Sequence, residues 1–361
     1  MHNRHRLIVG AAAGLFVFFV GLGPLLIPAG TTGTQTIFDL AYEDSDFLPV
    51  DGIAVHYRFT PHERGANGGP DAPAERSGGE SSRARDSTDA PDASQAANAH
   101  YPTDPPPLFV LLHGFGASTY TWREVQHRLA GLGDVVAFDR PGFGLTERPE
   151  PGSRLYDTEG QHHILNALLA HFDRERAILV GSSAGGTISL SYALAYPDRV
   201  ASLILVSPAV YTGAGAPRSL QWILRLPQMN RIGPLLAGRI AGEAGDDFLR
   251  SSWYDPDRIP DEVYAGYRRP TLVAGWESGL WNLTASSGRH EPAAPRLAEI
   301  ATPALILTGD TDRVVPPEES IRLAAELPRA TLAVVPESGH LAHEETPDAF
   351  MKAVRSFLRA P

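Results

Sequence analysis

The sequence predicts an α/β fold: a mostly parallel central sheet with helices on both faces and a helical insertion over one edge. Three observations carry this. From residue 108 onward, short runs rich in Val, Ile and Leu alternate with stretches of helix length, and strands that are apolar throughout belong to a parallel sheet buried on both faces. The alternation stops after Pro208 and resumes at Pro303, leaving a long segment that the sheet does not use. With 43% hydrophobic and 20% charged residues in 361, the chain can also fill the core such a sheet needs.

The chain begins with LIVGAAAGLFVFFVGLGPLLI, residues 7–27, which carry no charge. As a helix this stretch is about 31 Å long, enough to cross a bilayer. Arg4 and Arg6 precede it, and Asp39, Glu43, Asp44 and Asp46 follow. The positive-inside rule then predicts residues 1–30 as a retained transmembrane anchor, in a single-pass protein of the cell membrane with its catalytic part on the extracytoplasmic side. The alternative, a signal peptide, would secrete the protein, but Ile27-Pro28-Ala29 is a poor cleavage site.

Residues 31–208 form the first part of the core. FLPVDGIAVHYRF (47–59) reads as a β-hairpin turning at Asp51-Gly52. Residues 61–107 are rich in Gly, Pro, Ala, Ser and Asp and nearly free of bulky apolar side chains, the composition of a disordered insertion. LFVLLHG, DVVAFDR, RAILVGS and VASLILVSP then read as strands, with WREVQHRLAGL, TEGQHHILNALLAHF and GTISLSYALAYP as the helices between them. Residues 209–302 hold Trp222, Trp253, Trp276 and Trp281, four of the five tryptophans, and read as a helical lid. The second part of the core, 303–361, returns to strand, helix, strand, helix as PALILTGD, EESIRLAAELP, ATLAVVPES and PDAFMKAVRSFLRA.

A net charge of -11 with no basic patch argues against a nucleic-acid partner. The absence of cysteine removes disulfides, a thiolate nucleophile and cysteine-bound zinc. His340 and His343 lack a third ligand, and His162 and His163 point apart on a helix, so neither a metal nor another cofactor is expected.

GSSAGG, residues 181–186, sets Ser183 between a buried-type strand and a helix. A sharp turn there lifts the hydroxyl clear of the sheet and admits only small neighbours, here Gly181 and Gly185, with Gly186 giving further room. Tight packing alone would also account for these glycines. A serine hydroxyl is a weak nucleophile until a base takes its proton, so a histidine held by a carboxylate must accompany it. Asp310 and Asp312 follow one strand in LTGDTDRVVP, and His340 follows the next in VVPESGHLAHEE. Loops past the carboxyl ends of parallel strands are where sites in open α/β sheets assemble.

HGFGAS (113–118), DRPGFGLTERP (139–149), GSSAGG, GDTDRVVP and SGHLAHEE resemble, in this order, motifs of the α/β-hydrolase superfamily in its lidded branch of serine hydrolases and esterases. The resemblance spans residues 47–360 and implies the α/β-hydrolase fold. It also implies Ser183 as nucleophile, His340 as base in G-H and Asp312 as acid in G-x-x-D-x-x-V-P, with Asp310 the rival acid or a turn-forming residue. The NH groups of Phe115 and Ala184 would form the oxyanion hole. Gly114 and Gly116 would permit their loop's dihedrals, and His113 would support it. Asp139, Arg140, Pro141, Gly142 and Gly144 resemble the family's turn after the fourth strand and would shape the site.

The implied chemistry is acyl transfer on an apolar small-molecule or lipid-like ester. Serine at the elbow disfavours the epoxide hydrolase and haloalkane dehalogenase relatives, which attack with an aspartate. Two alternatives stand: a carbon–carbon hydrolase of ring-cleavage diketones, whose G-N-S-M-G-G elbow differs from GSSAGG, and a non-enzymatic binder on the same fold. The lid tryptophans either line an apolar pocket or pack small helices together. SLQWILRLPQMNRIGPLLAGRIAG (219–242) either packs on the core or meets a membrane surface. The sequence specifies no oligomeric state.

Overall fold

The computed structural model describes residues 18, 21, 23–26, 32–63, 105–211, 221–224, 226–241, 243–286 and 293–360. Its strands are β1 (Ser45–Val50), β2 (Ile53–Thr60), β3 (Leu108–Leu112), β4 (Asp134–Phe138), β5 (Ala177–Ser182), β6 (Val200–Val206), β7 (Ala304–Gly309) and β8 (Ala330–Val335). They form one sheet in the order β1-β2-β4-β3-β5-β6-β7-β8. The β1–β2 and β2–β4 pairs are antiparallel and all others parallel. At the β1–β2 hairpin Val50 pairs with Ile53, and Asp51 (φ 48°) and Gly52 (φ 84°) both take the left-handed conformation that tight hairpins need.

The continuous apolar runs are explained by the pleat, which sends alternate side chains to opposite faces. Leu108, Val110 and Leu112 of β3 face one core layer, with Leu179, Leu203 and Ile306 from the neighbouring strands. Phe109 and Leu111 face the other, with Val180, Ile204 and Leu307. The first layer is covered by Ile164 and Leu168 of a helix α2 (Thr158–His171), Leu190 of α3 (Ala184–Ala195) and Leu323 of a helix at Pro317–Glu326. The second is covered by Leu129 of α1 (Gln126–Ala130), by Trp122, and by Phe350 and Val354 of the last helix, Pro347–Arg359. The stretch expected to form one helix around α1 is split, because a 3-10 turn at Thr119–Trp122 precedes it, started by Ser118 accepting from the Tyr120 NH.

Between β6 and β7 lie α4 (Gln221–Leu224), α5 (Met229–Ala241), α6 (Glu243–Ser252), α7 (Asp261–Arg268) and α8 (Trp276–Ser286). The helix at Pro317–Glu326 is then α9, a single turn at Ala342–Glu345 is α10, and Pro347–Arg359 is α11. Trp253, after α6, packs in a small cluster with Leu249, Ile259, Val263 and Leu341.

One expectation is corrected. No helix among the described residues is long and apolar enough to cross a membrane, so the transmembrane anchor predicted over residues 1–30 falls, with the membrane partner and cell-membrane localisation that rested on it. Most of 7–27 lies outside the described residues. The part within them does not run as an α-helix: Gly23–Leu26 is a 3-10 turn, and the Gly21 carbonyl accepts from Gln228 Nε2 at 3.0 Å. This turn lies against α5, and apolarity alone does not tell a bilayer from the side of a neighbouring helix. The insertion predicted as disordered over 61–107 lies outside the described residues except at its ends.

Candidate active site

Ser183 sits between β5 and α3 with φ 51° and ψ -118°, a conformation that costs a residue with a side chain roughly 1–3 kcal/mol. Its surroundings enforce it. The Ser183 NH donates to Val206 O at 2.9 Å, and its carbonyl accepts from the NH groups of Gly186 at 3.0 Å and Ala209 at 3.2 Å. The elbow is thereby tied to the end of β6. A Cβ on Gly185 would lie 2.0 Å from Leu112 O, and one on Gly181 2.7 Å from the Gly185 carbonyl carbon. Packing demands the glycines, and that packing holds Ser183 on its turn.

His340 and Asp312 are both buried, and His340 Nδ1 lies 2.8 Å from Asp312 Oδ2. The other Asp312 oxygen accepts from the NH groups of Val314 at 2.8 Å and Val315 at 2.9 Å, which holds the carboxylate in place. A carboxylate only accepts, so Nδ1 carries a proton, and in the neutral ring this leaves Nε2 bare, the tautomer a general base requires. Asp310 is exposed and accepts instead from Thr311 Oγ1 at 2.8 Å and the Ser338 NH at 3.5 Å. Ser183 and His340 line the same cavity. No hydrogen bond joins the Ser183 hydroxyl to His340 among the described residues; such contacts commonly tighten only when substrate binds.

Neither the Phe115 NH nor the Ala184 NH donates to a protein acceptor among the described residues. How the Phe115 NH is aimed follows from its neighbours. The Gly114 carbonyl accepts from His113 Nδ1 at 2.8 Å and from an Arg140 Nη at 3.2 Å. In a planar trans peptide the C=O of Gly114 and the NH of Phe115 point opposite ways, so gripping the one orients the other. His113 Nε2 in turn accepts from the Arg140 NH at 3.0 Å. Burial, with Arg140 alongside, pushes the His113 pKa down to about 3 and keeps the ring neutral. Gly116 (φ 70°) completes the loop.

A feature the sequence did not reveal lies behind this loop. The buried Asp139 carboxylate accepts from the NH groups of Thr119 at 2.6 Å and Leu145 at 2.7 Å, and from His56 Nδ1 at 2.7 Å. Burial works against its charge, but the His56 pairing and these donors outweigh it and hold its pKa below the usual carboxylate range. His56 Nε2 lies 2.6 Å from Ser45 Oγ, so a second Ser–His–Asp chain exists. It has no elbow and lines neither described cavity, and it braces the 139–146 turn. The pair forms across the end of the β2–β4 ladder, where Tyr57 meets Phe138, a register that composition does not disclose.

The cavity measures about 540 Å³ and is mostly apolar. The 114–117 and 142–144 loops form its floor, with Leu236, Leu249, Trp276 and Trp281 of the helical insertion above. Arg148 also lines it, its guanidinium donating to the carbonyls of Gly144 at 2.9 Å and Thr146. Burial lowers the Arg148 pKa to about 10, which leaves it charged. Trp276 and Trp281 thus face the cavity, Trp253 packs helices, and Trp222 is 65% exposed. A second, open hollow of about 590 Å³ between α1 and α11, lined by Arg128, Asp348 and Lys352, contains none of these groups.

Known proteins resemble this chain in sequence and in fold. The profile of a family described as alpha/beta hydrolase fold matches residues 107–347. A 2-hydroxy-6-oxononadienedioate/2-hydroxy-6-oxononatrienedioate hydrolase of Cupriavidus pinatubonensis is 30% identical over 260 residues, covering 69% of this chain and 86% of the relative. Lipase 1 of Psychrobacter immobilis is 30% identical over 259 residues, covering 70% and 77%. A thermophilic esterase from Thermogutta terrifontis superposes with a TM-score of 0.60 at 21% identity, covering 87% of this chain and 96% of that one.

Proposed function

Because this chain belongs to the alpha/beta hydrolase family and is a hydrolase, we propose that it cleaves carboxylic esters through an acyl-enzyme on Ser183. The supporting observation is that Ser183, on a strained elbow, shares one cavity with His340, whose Nδ1 is held by buried Asp312. Ser183 Oγ attacks the ester carbonyl while His340 Nε2 takes its proton and Asp312 stabilises the imidazolium. The NH groups of Phe115 and Ala184 receive the oxyanion. His340 then protonates the departing alcohol, and a water deprotonated by His340 releases the acid. The insertion 209–302 acts as the lid, and its apolar wall suits an apolar or lipid-like chain.

Carbon–carbon hydrolysis is the second reading, supported by the relative from Cupriavidus pinatubonensis that bears such a name. The apolar cavity favours the ester reading. A panel of nitrophenyl esters of increasing acyl length, run beside a ring-cleavage diketone, separates the two. Ester turnover and fluorophosphonate labelling, both reduced at least about 1000-fold in Ser183→Ala, are expected. Diketone turnover alone would select the second reading, and neither turnover nor labelling would leave a binder.

A further inference from the structure

The lid and the loop carrying His340 meet at one short segment. α6 ends at Ser252 and the chain runs on through Trp253, Tyr254 and Asp255, and the two loops of the site take up the backbone groups of these four residues. The Ser252 carbonyl accepts from the His340 NH at 2.7 Å. One Glu345 oxygen accepts from the Gly339 NH at 2.8 Å and the Tyr254 NH at 3.0 Å, and the other from the Asp255 NH at 3.2 Å. Arg313, beside Asp312, donates to the carbonyls of Trp253 at 3.0 Å and Tyr254 at 3.4 Å. Gly339 makes the approach possible, since a Cβ there would lie 2.5 Å from Ser252 O.

We propose that Glu345 is a positioning residue for His340. It fastens the NH of Gly339, the residue before His340, to the lid segment, so the aim of the imidazole at Ser183 is set by the lid as well as by Asp312. A ring held only through Nδ1 can still pivot about that bond, and its Nε2 makes no hydrogen bond to Ser183 in this structure. The backbone of residues 339 and 340 supplies the missing constraint, from Glu345 on one side and Ser252 on the other. This rests on the reading of His340 as the base given above.

Misplacement of a reacting atom by about 1 Å lowers rate by roughly 100-fold while leaving distant apolar contacts to substrate in place. Glu345→Ala, which deletes three acceptor contacts, should therefore lower kcat by about 10- to 100-fold with KM changed by less than about threefold. Glu345→Gln keeps one carbonyl oxygen for the Gly339 and Tyr254 NH groups and should recover most of kcat. The measurement is steady-state and burst kinetics on the best nitrophenyl ester, at a temperature where a thermal melt shows each variant folded. Wild-type kcat in Glu345→Ala overturns the proposal, as does loss of kcat and KM together without recovery in Glu345→Gln. If Glu345→Ala does not fold, Glu345→Asp, whose carboxylate stops one methylene short of the Gly339 and Tyr254 NH groups, takes its place, and wild-type kcat there overturns the proposal. Ser183→Ala, run alongside, reads the underlying mechanism: retained activity there would remove the base role on which the proposal stands.

Discussion

Acidification from pH 7 to pH 5 should destabilise the protein by about 4 kcal/mol through two histidines alone. His113 donates from Nδ1 to Gly114 O and accepts at Nε2 from the Arg140 NH, so a second proton would break the latter contact. His343 lies with Nε2 2.9 Å from Thr121 Oγ1. Thr121 gives its own proton to Glu344, so His343 Nε2 must donate, and its buried Nδ1 faces no partner among the described residues. Burial, aided by Arg140 in one case and Arg123 in the other, lowers each pKa from 6.5 to about 3.

The folded chain thus refuses two protons that the unfolded chain accepts. Stability is intact above the unfolded value near 6.5 and falls as pH drops from there toward 3. Each group contributes about 1.36 kcal/mol per pH unit, so at pH 5 the loss is about 2 kcal/mol per ring and the combined slope about 2.7 kcal/mol per pH unit. Against a typical total of about 5–15 kcal/mol this is a large fraction. Urea unfolding at pH 7, 6 and 5 measures it, and His343→Gln should remove about half the slope. A stability that does not change between pH 7 and pH 5, or a slope that His343→Gln leaves intact, would refute the reasoning.

Asp312→Asn should lower kcat about 10⁴-fold by spoiling the tautomer of His340, whereas Asp310→Asn, at an exposed turn, should change it by less than about threefold. A large loss at Asp310 in the nitrophenyl ester assay would reverse the assignment of the acid. Gly185→Ala should destabilise by at least about 3 kcal/mol, since its new Cβ would press on the backbone of Leu112; an unchanged melting temperature would contradict that packing. Asp139→Asn, which leaves His56 without its carboxylate, should cost about 3–5 kcal/mol at neutral pH in urea unfolding. The Asp139 contribution exists above its unfolded pKa near 4 and is lost as pH falls through its lowered folded value, so the variant should also lose that acid-side slope.

What could be read beforehand was local in sequence. Successive residues of β3, β5 and β7 face alternate core layers, and both layers are apolar, so the strands stood out as unbroken apolar runs. The strand–turn–helix at Ser183 occupies a few consecutive residues, and motif spacing pointed to His340 and Asp312, which the fold brings together as a buried pair. The N-terminal stretch was misread because length and apolarity describe a side chain without naming its neighbour, and the described turn at Gly23–Leu26 lies against α5. His56 and Asp139 are 83 residues apart and meet only through the β2–β4 register. Tyr254 and Glu345 are 91 apart and meet only where the insertion returns to the His340 loop. Spacing therefore finds groups able to react, each on its own turn, while the contacts that would hold them in register depend on which distant backbone arrives beside them. The pivot of His340 against Ser183 is a question of that second kind, and Glu345 is the side chain through which it can be altered without touching the reacting atoms.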